Sequence, residues 1–223
     1  MPQACTPASR RRPGRMSLPD LDTIMSVAPV IPVLVLDSVG DAAPIAQALV
    51  AGGLPVLEVT LRTPAALDVI RAMKTVPGAI VGAGTVLNPD LLRQAVDAGA
   101  EFAVSPGLTD RLAEAAAGSA IPLLPGVSTA SEVMRALDFG FARLKFFPAM
   151  ASGGLPALKG LASVFGGVRF CPTGGITADN AADWLAQPAV ACVGGTWLVP
   201  AGALIDRHAI TERARSAAAL RRA

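Results

Sequence analysis

From residue 29 onward the chain repeats one unit, a short β-rich run followed by a helical segment, eight times over. The β-rich runs fall at 30–36, 55–60, 79–83, 101–104, 121–124, 142–147, 168–171 and 190–193. The helical patterns fall at 41–51, 64–74, 89–98, 108–117, 129–138, 155–164, 178–186 and 206–220. Starts are marked by Asn88-Pro89 and Ser128, stops by Gly99, Gly118 and Gly140, as helix caps require. Parallel neighbours need a covering crossover, so β-then-α alternation predicts a parallel sheet. Eight such units, roughly 20–25 residues each, close into a single (β/α)8 TIM barrel, compact for a fold that typically takes ~250 residues. A doubly wound open sheet is the alternative that periodicity leaves open. Residues 20–26 predict a short N-terminal helix ahead of the first strand.

Composition narrows the class. The 223 residues are 52% hydrophobic and 16% charged, too apolar for a disordered chain. Yet no apolar run has the ~20 uninterrupted residues of a membrane span. The run at 27–36 carries Pro29 and Pro32, and 189–205 is broken by Gly194, Gly195, Thr196 and Pro200. The net charge of +2 separates into two parts. Arg10, Arg11, Arg12 and Arg15 meet no acid in 1–15, whereas 16–223 holds 15 bases against 17 acids. We expect a disordered basic tail over 1–18, an extension ahead of a start at Met16 or a solvated arm, and one barrel domain over 19–223. A net acidic domain argues against a nucleic-acid partner. No apolar segment adjoins the arginines, so a secretory signal is not expected. Cys5, Cys171 and Cys192 lack CxxC spacing and the chain has one histidine, so no metal site is expected. Reduced, buried thiols point to the cytoplasm.

Two strands carry charge where a strand should be apolar. In 55–60, Leu57, Val59 and Leu61 share one face and Val56, Glu58, Thr60 and Arg62 the other. The apolar face belongs against the helices, which places Glu58, Thr60 and Arg62 inside the barrel, towards the C-terminal mouth where barrel chemistry occurs. Such charges pair with each other, as Glu58–Arg62, or serve a ligand. In 142–147, Lys145 lies on the face of Arg143 and Phe147, among Leu144 and Phe146. Lysine is one of only three in the chain. Burial disfavours the ammonium form, and a free amine on an apolar floor is what condensation with a ketone requires. Lys74 and Lys159 lie in helical segments and read as solvated side chains.

Glycine pairs follow the last two strands. Cys171-Pro172-Thr173-Gly174-Gly175 and Val193-Gly194-Gly195-Thr196 occupy the positions where barrels bind phosphate through bare backbone N–H groups. Gly82-Ala83-Gly84-Thr85 falls short of a dinucleotide fingerprint, which excludes a nicotinamide cofactor.

Seven segments then spell a family: 56–63 (VLEVTLRT), 81–89 (VGAGTVLNP), 105–109 (SPGLT), 122–129 (PLLPGVST), 145–149 (KFFPA), 169–176 (RFCPTGGI) and 193–200 (VGGTWLVP). Together they resemble the 2-keto-3-deoxy-6-phosphogluconate aldolases, class I enzymes of the Entner–Doudoroff pathway often also active on 4-hydroxy-2-oxoglutarate. The resemblance implies a barrel fold and a lyase that needs neither cofactor nor metal. It implies that Lys145 forms the Schiff base with the substrate ketone and that Glu58 is the general acid/base. By the same resemblance Arg62 and Thr85 hold the carboxylate, and Pro106 and Phe147 wall the pyruvyl group. Thr173, Gly174, Gly175, Gly195 and Thr196 take the phosphate and polyol end. A phosphorylated 2-keto acid substrate and a homotrimer are implied too. Two positions depart from the pattern: Met150 stands where an acid is frequent, and Thr196 where serine is. The resemblance also implies that Thr173 favours gluconate over galactonate substrates, relatives of the latter kind having an apolar residue there. The alternatives are a 2-dehydro-3-deoxy-6-phosphogalactonate aldolase and a non-catalytic phosphosugar-binding barrel.

Overall fold

The structure, a computed structural model, describes residues 19–200, 202 and 205–220. The expected tail over 1–18 lies outside the described residues. The chain opens with helix α1 (Leu21–Val27), which the Asp20 side chain caps by accepting from Thr23 N at 2.8 Å. Strand–helix units follow: β1 (Val30–Leu34), α2 (Ala42–Ala51), β2 (Val56–Thr60), α3 (Ala66–Met73), β3 (Ile80–Gly84), α4 (Pro89–Asp97), β4 (Phe102–Val104) and α5 (Asp110–Ala117). The second half comprises β5 (Leu123–Leu124), β6 (Gly126–Val127), α6 (Ala130–Asp138), β7 (Arg143–Phe146), α7 (Gly154–Val164), β8 (Arg169–Pro172), α8 (Ala181–Leu185), β9 (Val193–Gly195) and α9 (Arg207–Ala218).

All ladders are parallel, and they run round a ring. One sheet has the order β5-β4-β3-β2-β1-β9 and the other β6-β7-β8. The fifth unit is one strand interrupted at Pro125, which has no N–H to give β4 but still accepts from Lys145 N at 2.8 Å. On the far side, bridges Phe170↔Val190 and Thr173↔Gly194 join β8 to the β9 segment. The eight expected strand units therefore appear as nine pieces of a barrel.

Side-chain parity divides the core in two. Leu57, Val59, Leu144, Phe146 and Phe170 belong to the cluster beneath the helices. Ile31, Val56, Phe102, Val104, Leu124, Cys171 and Cys192 fill the barrel interior with Ile24 and Met25 of α1. The helices present matching stripes; α3 buries Ala66, Val69, Ile70 and Met73, the i, i+3, i+4, i+7 face. Helix α1 thus plugs the end opposite the mouth, and its Asp22 pairs with Arg143 at the start of β7.

Two expectations need correcting. Lys74, at the C-cap of α3, is not a free solvated side chain: its Nζ lies 2.7 Å from Glu101 Oε2. Gly194 and Gly195 are not a turn after the last strand but lie within β9. Their φ angles are not positive, and the glycines serve close approach instead. A methyl group at Gly194 would lie 2.4 Å from Thr173 Oγ1, and one at Gly195 1.7 Å from the Trp197 ring. Gly174 and Gly175 do form the expected turn, with φ of +98° and +77°.

Candidate active site

Glu58 on β2 and Lys145 on β7 belong to the second and sixth of eight strand units, on opposite sides of the ring. Both point inward by strand parity, and two long side chains span the bore. Lys145 Nζ comes within 3.1 Å of Glu58 Oε1, with side-chain exposures of 6% and 4%. Among the described residues the lysine is the carboxylate's only hydrogen-bond partner. The alternative Glu58–Arg62 ion pair is not formed, and the floor around the amine is not purely apolar because the carboxylate occupies it. The Phe147 ring lies 5.2 Å from Nζ and supplies the apolar side.

The rest of the wall is built of residues that make room. Gly126 pairs in register with Lys145, and a methyl group on it would strike the Pro106 carbonyl oxygen at 2.2 Å. Pro106 therefore packs over the strand beside the lysine. Its neighbour Ser105 donates to Gly107 O at 2.7 Å, which fixes that loop.

Arg62 stands exposed at the mouth, where its Nε donates to Thr85 Oγ1 at 3.2 Å. Thr85 has φ of +60°, the one non-glycine residue with positive φ among the described residues. A β-branched residue there is strained by about 1–3 kcal/mol. The strained backbone places the hydroxyl against Nε and leaves the terminal guanidinium nitrogens of Arg62 for another acceptor.

The glycine turn closes the opposite rim. Ala149 N donates to Thr173 O at 2.8 Å and Met150 N to Gly174 O at 3.0 Å, tying the loop after β7 to the loop after β8. A methyl group on Gly174 would lie 3.3 Å from the Phe147 ring, and one on Gly175 2.6 Å from Met150 Cγ. Met150 thus lies along the turn, half-exposed. The Thr173 hydroxyl is buried, and its described partners are distant: Cys171 O at 3.4 Å and Cys171 Sγ at 3.9 Å. Gly195 is buried beneath Trp197, and Thr196 is exposed at the rim.

Sequence reading missed Gly84, which holds no chemistry but makes space beside Glu58, and gave Gly194 to an anion-binding turn where it makes space beside Thr173. The signal was available: both share the inward parity of their strands. Among the described residues no group of three or more His, Cys, Asp or Glu side chains is placed to hold a metal ion. No described helix is long and apolar enough to cross a membrane.

A parallel β/α barrel with an amine buried against a carboxylate in its bore has the parts of an amine-using lyase: a nucleophile for a ketone, a proton acceptor, and a cationic mouth. The family model for KDPG and KHG aldolases matches residues 21–212, and the chain belongs to that family. The 2-dehydro-3-deoxy-phosphogluconate aldolase of Zymomonas mobilis is 59% identical over 204 residues, 92% of this chain and 98% of that protein. Its crystal structure with 3-phosphoglycerate superposes with a TM-score of 0.90 at the same coverage. The KDPG aldolase of Legionella pneumophila, with pyruvate captured at low pH as a covalent carbinolamine, is 48% identical. It covers 88% of this chain and 97% of that one, with a TM-score of 0.85.

Proposed function

We infer that this chain is a class I aldolase that cleaves 2-dehydro-3-deoxy-6-phosphogluconate reversibly to pyruvate and glyceraldehyde 3-phosphate. Lys145 is the nucleophile and Glu58 the acid/base. The observation that carries the assignment is the 3.1 Å contact between Lys145 Nζ and Glu58 Oε1 inside the bore. A carboxylate touching the amine can take its proton and return one to the oxygen that must leave. The carbinolamine in the Legionella relative supports the same chemistry.

The steps follow from these positions. Neutral Lys145 Nζ adds to the C2 carbonyl, and Glu58 delivers the proton with which the carbinolamine oxygen departs as water. The resulting iminium withdraws electrons. Glu58 then removes the C4 hydroxyl proton, the C3–C4 bond breaks with its electron pair flowing to the iminium, and the aldehyde departs. The enamine left behind takes a proton at C3, and water hydrolyses the imine to release pyruvate and the free amine. Arg62 and Thr85 hold the substrate carboxylate, and Pro106 and Phe147 line its carbon chain. Thr173, Gly174, Gly175, Gly195 and Thr196 receive the polyol and phosphate. Activity on 4-hydroxy-2-oxoglutarate is part of the proposal, since it needs the same amine and carboxylate clamp.

The buried Thr173 hydroxyl, weakly partnered within the protein, supports the gluconate epimer over the galactonate one. We also propose a homotrimer working in the cytoplasm. Met134 and Leu137, three apart on α6, are exposed apolar neighbours that support a contact between subunits.

Borohydride reduction in the presence of pyruvate, read by mass spectrometry, tests the core of the proposal. A stable adduct is expected on Lys145 and none in Lys145→Ala. An adduct on Lys74 or Lys159, or none at all, refutes it.

A further inference from the structure

We propose that Gly84 is a positioning residue for Glu58: the space its missing side chain leaves on β3 is the seat of the Glu58 carboxylate. The inference rests on the reading of Glu58 as acid/base given above.

Strands β2 and β3 are neighbours, with Glu58 opposite Gly82 and Thr60 opposite Gly84. The Glu58 side chain leans along its own strand direction, towards the mouth, and crosses over Gly84. A methyl group on Gly84 would lie 2.2 Å from Glu58 Oε1, 2.7 Å from Cγ and 2.8 Å from the carboxyl carbon. Carbon and oxygen never approach so closely without a bond, so the two groups cannot share the space. Gly84 does not have positive φ, so the backbone conformation would accept any L-residue. Its glycine is therefore explained by volume, and the three atoms nearest that volume all belong to Glu58.

Lys145 is the only described partner of the Glu58 carboxylate, and no backbone N–H holds it from the other side. When Nζ becomes an imine nitrogen, its grip on the carboxylate changes at each step. A seat defined by shape persists through all of them. Gly82, one layer deeper, makes a contrast. A methyl group there would lie 2.4 Å from the Phe102 ring, a packing contact of the barrel interior.

Gly84→Ala tests the seat. The methyl meets the far end of a flexible side chain, so the chain is expected to fold with Glu58 displaced. The kcat for cleavage is expected to fall about 100-fold, the low end of what acid/base groups contribute, with KM changed less than about threefold. A kcat within about threefold of native overturns the proposal. Stability gives a second, activity-free measure. Glu58→Ala removes the atoms the new methyl meets, so adding Gly84→Ala to that variant is expected to leave its thermal midpoint unchanged. A further fall shows that something other than Glu58 fills the space and overturns the proposal even if Gly84→Ala alone fails to fold. Gly160→Ala, on an exposed stretch of α7 with no heavy atom within 4 Å, serves as the neutral control. Glu58→Gln separates the two ideas. If it keeps native turnover, the acid/base reading fails while the stability coupling between positions 58 and 84 still stands or falls by itself.

Discussion

The two Lys–Glu pairs among the described residues use the same side chains in opposite ways. Lys74 and Glu101 meet at 2.7 Å with side-chain exposures of 31% and 17%, at the end of the barrel where strands begin. There Glu101 Oε2 also accepts from Val81 N at 3.0 Å, so the carboxylate ties a helix end to a strand. Lys145 and Glu58 meet at 3.1 Å, almost wholly buried, and the carboxylate accepts from no backbone donor. A carboxylate that also holds a backbone N–H cannot move without breaking that tie to the strand. One that is held by a single amine and a shaped seat can give up or take a proton without breaking the scaffold. The number of partners and the burial, rather than the distance, separate the structural pair from the candidate catalytic pair.

The interior pair gives the largest expected effect. Replacing both members with apolar residues, as Lys145→Met with Glu58→Leu, is expected to abolish cleavage and the borohydride adduct. Denaturant unfolding is expected to show stability held or raised by about 1–4 kcal/mol, because desolvating two charges is no longer required. A less stable double variant would mean that the pair supports the fold as well. At the other end Glu101→Ala is expected to leave kcat within about twofold. It should lower stability by about 1–3 kcal/mol, since Val81 N–H loses its acceptor. Lys74→Ala should lose under about 1 kcal/mol, and less in high salt. If Lys74→Ala is the more damaging of the two, the backbone bond is not what matters there.

The smallest expected effect lies in the loop after β6, which also faces the mouth. Glu132 accepts from Ser128 N at 2.6 Å and Thr129 N at 2.9 Å in a capping box with Thr129. Partial burial pushes its carboxyl upward, but the hydrogen bonds from Ser128 and Thr129 together outweigh this and hold it below the usual 4.5. A depressed carboxyl contributes stability above its ordinary value and loses it as pH falls through the folded value. A modest loss of thermal midpoint is therefore expected below about pH 4.5, and a flatter acid limb in Glu132→Gln. Identical limbs would assign the acid loss to other groups.

What was legible in the chain follows from how local each signal is. Strand parity placed Glu58 and Lys145 inward because alternation is a property of each strand alone. Their contact was not legible from strand pattern, since it depends on ring closure bringing the second and sixth units face to face; only the family resemblance put them in one site. Strand parity left two local options for Glu58 and Arg62, a mutual ion pair or service to a ligand; the pair is not formed, and Arg62 donates to Thr85. The two Gly-Gly pairs look alike in sequence and differ in space. Gly174-Gly175 is a turn with positive φ, whereas Gly194-Gly195 is strand paired with Ile31 and Pro32, its glycines leaving room for Thr173 and Trp197. Such neighbours are far along the chain, and no local pattern announces them. The helix over 178–186 shortens to Ala181–Leu185, where the loop before it is fixed by Asn180 accepting from Thr177 N at 2.9 Å.

Thr85 carries one last consequence. Its left-handed backbone is unfavourable for a β-branched residue, and glycine or asparagine would sit there with less strain. A screen that rewards only resistance to heat will therefore tend to replace Thr85, and with it the hydroxyl that orients Arg62. Engineering of this scaffold for durability should hold position 85 fixed, because there the most comfortable chain and the most useful one diverge.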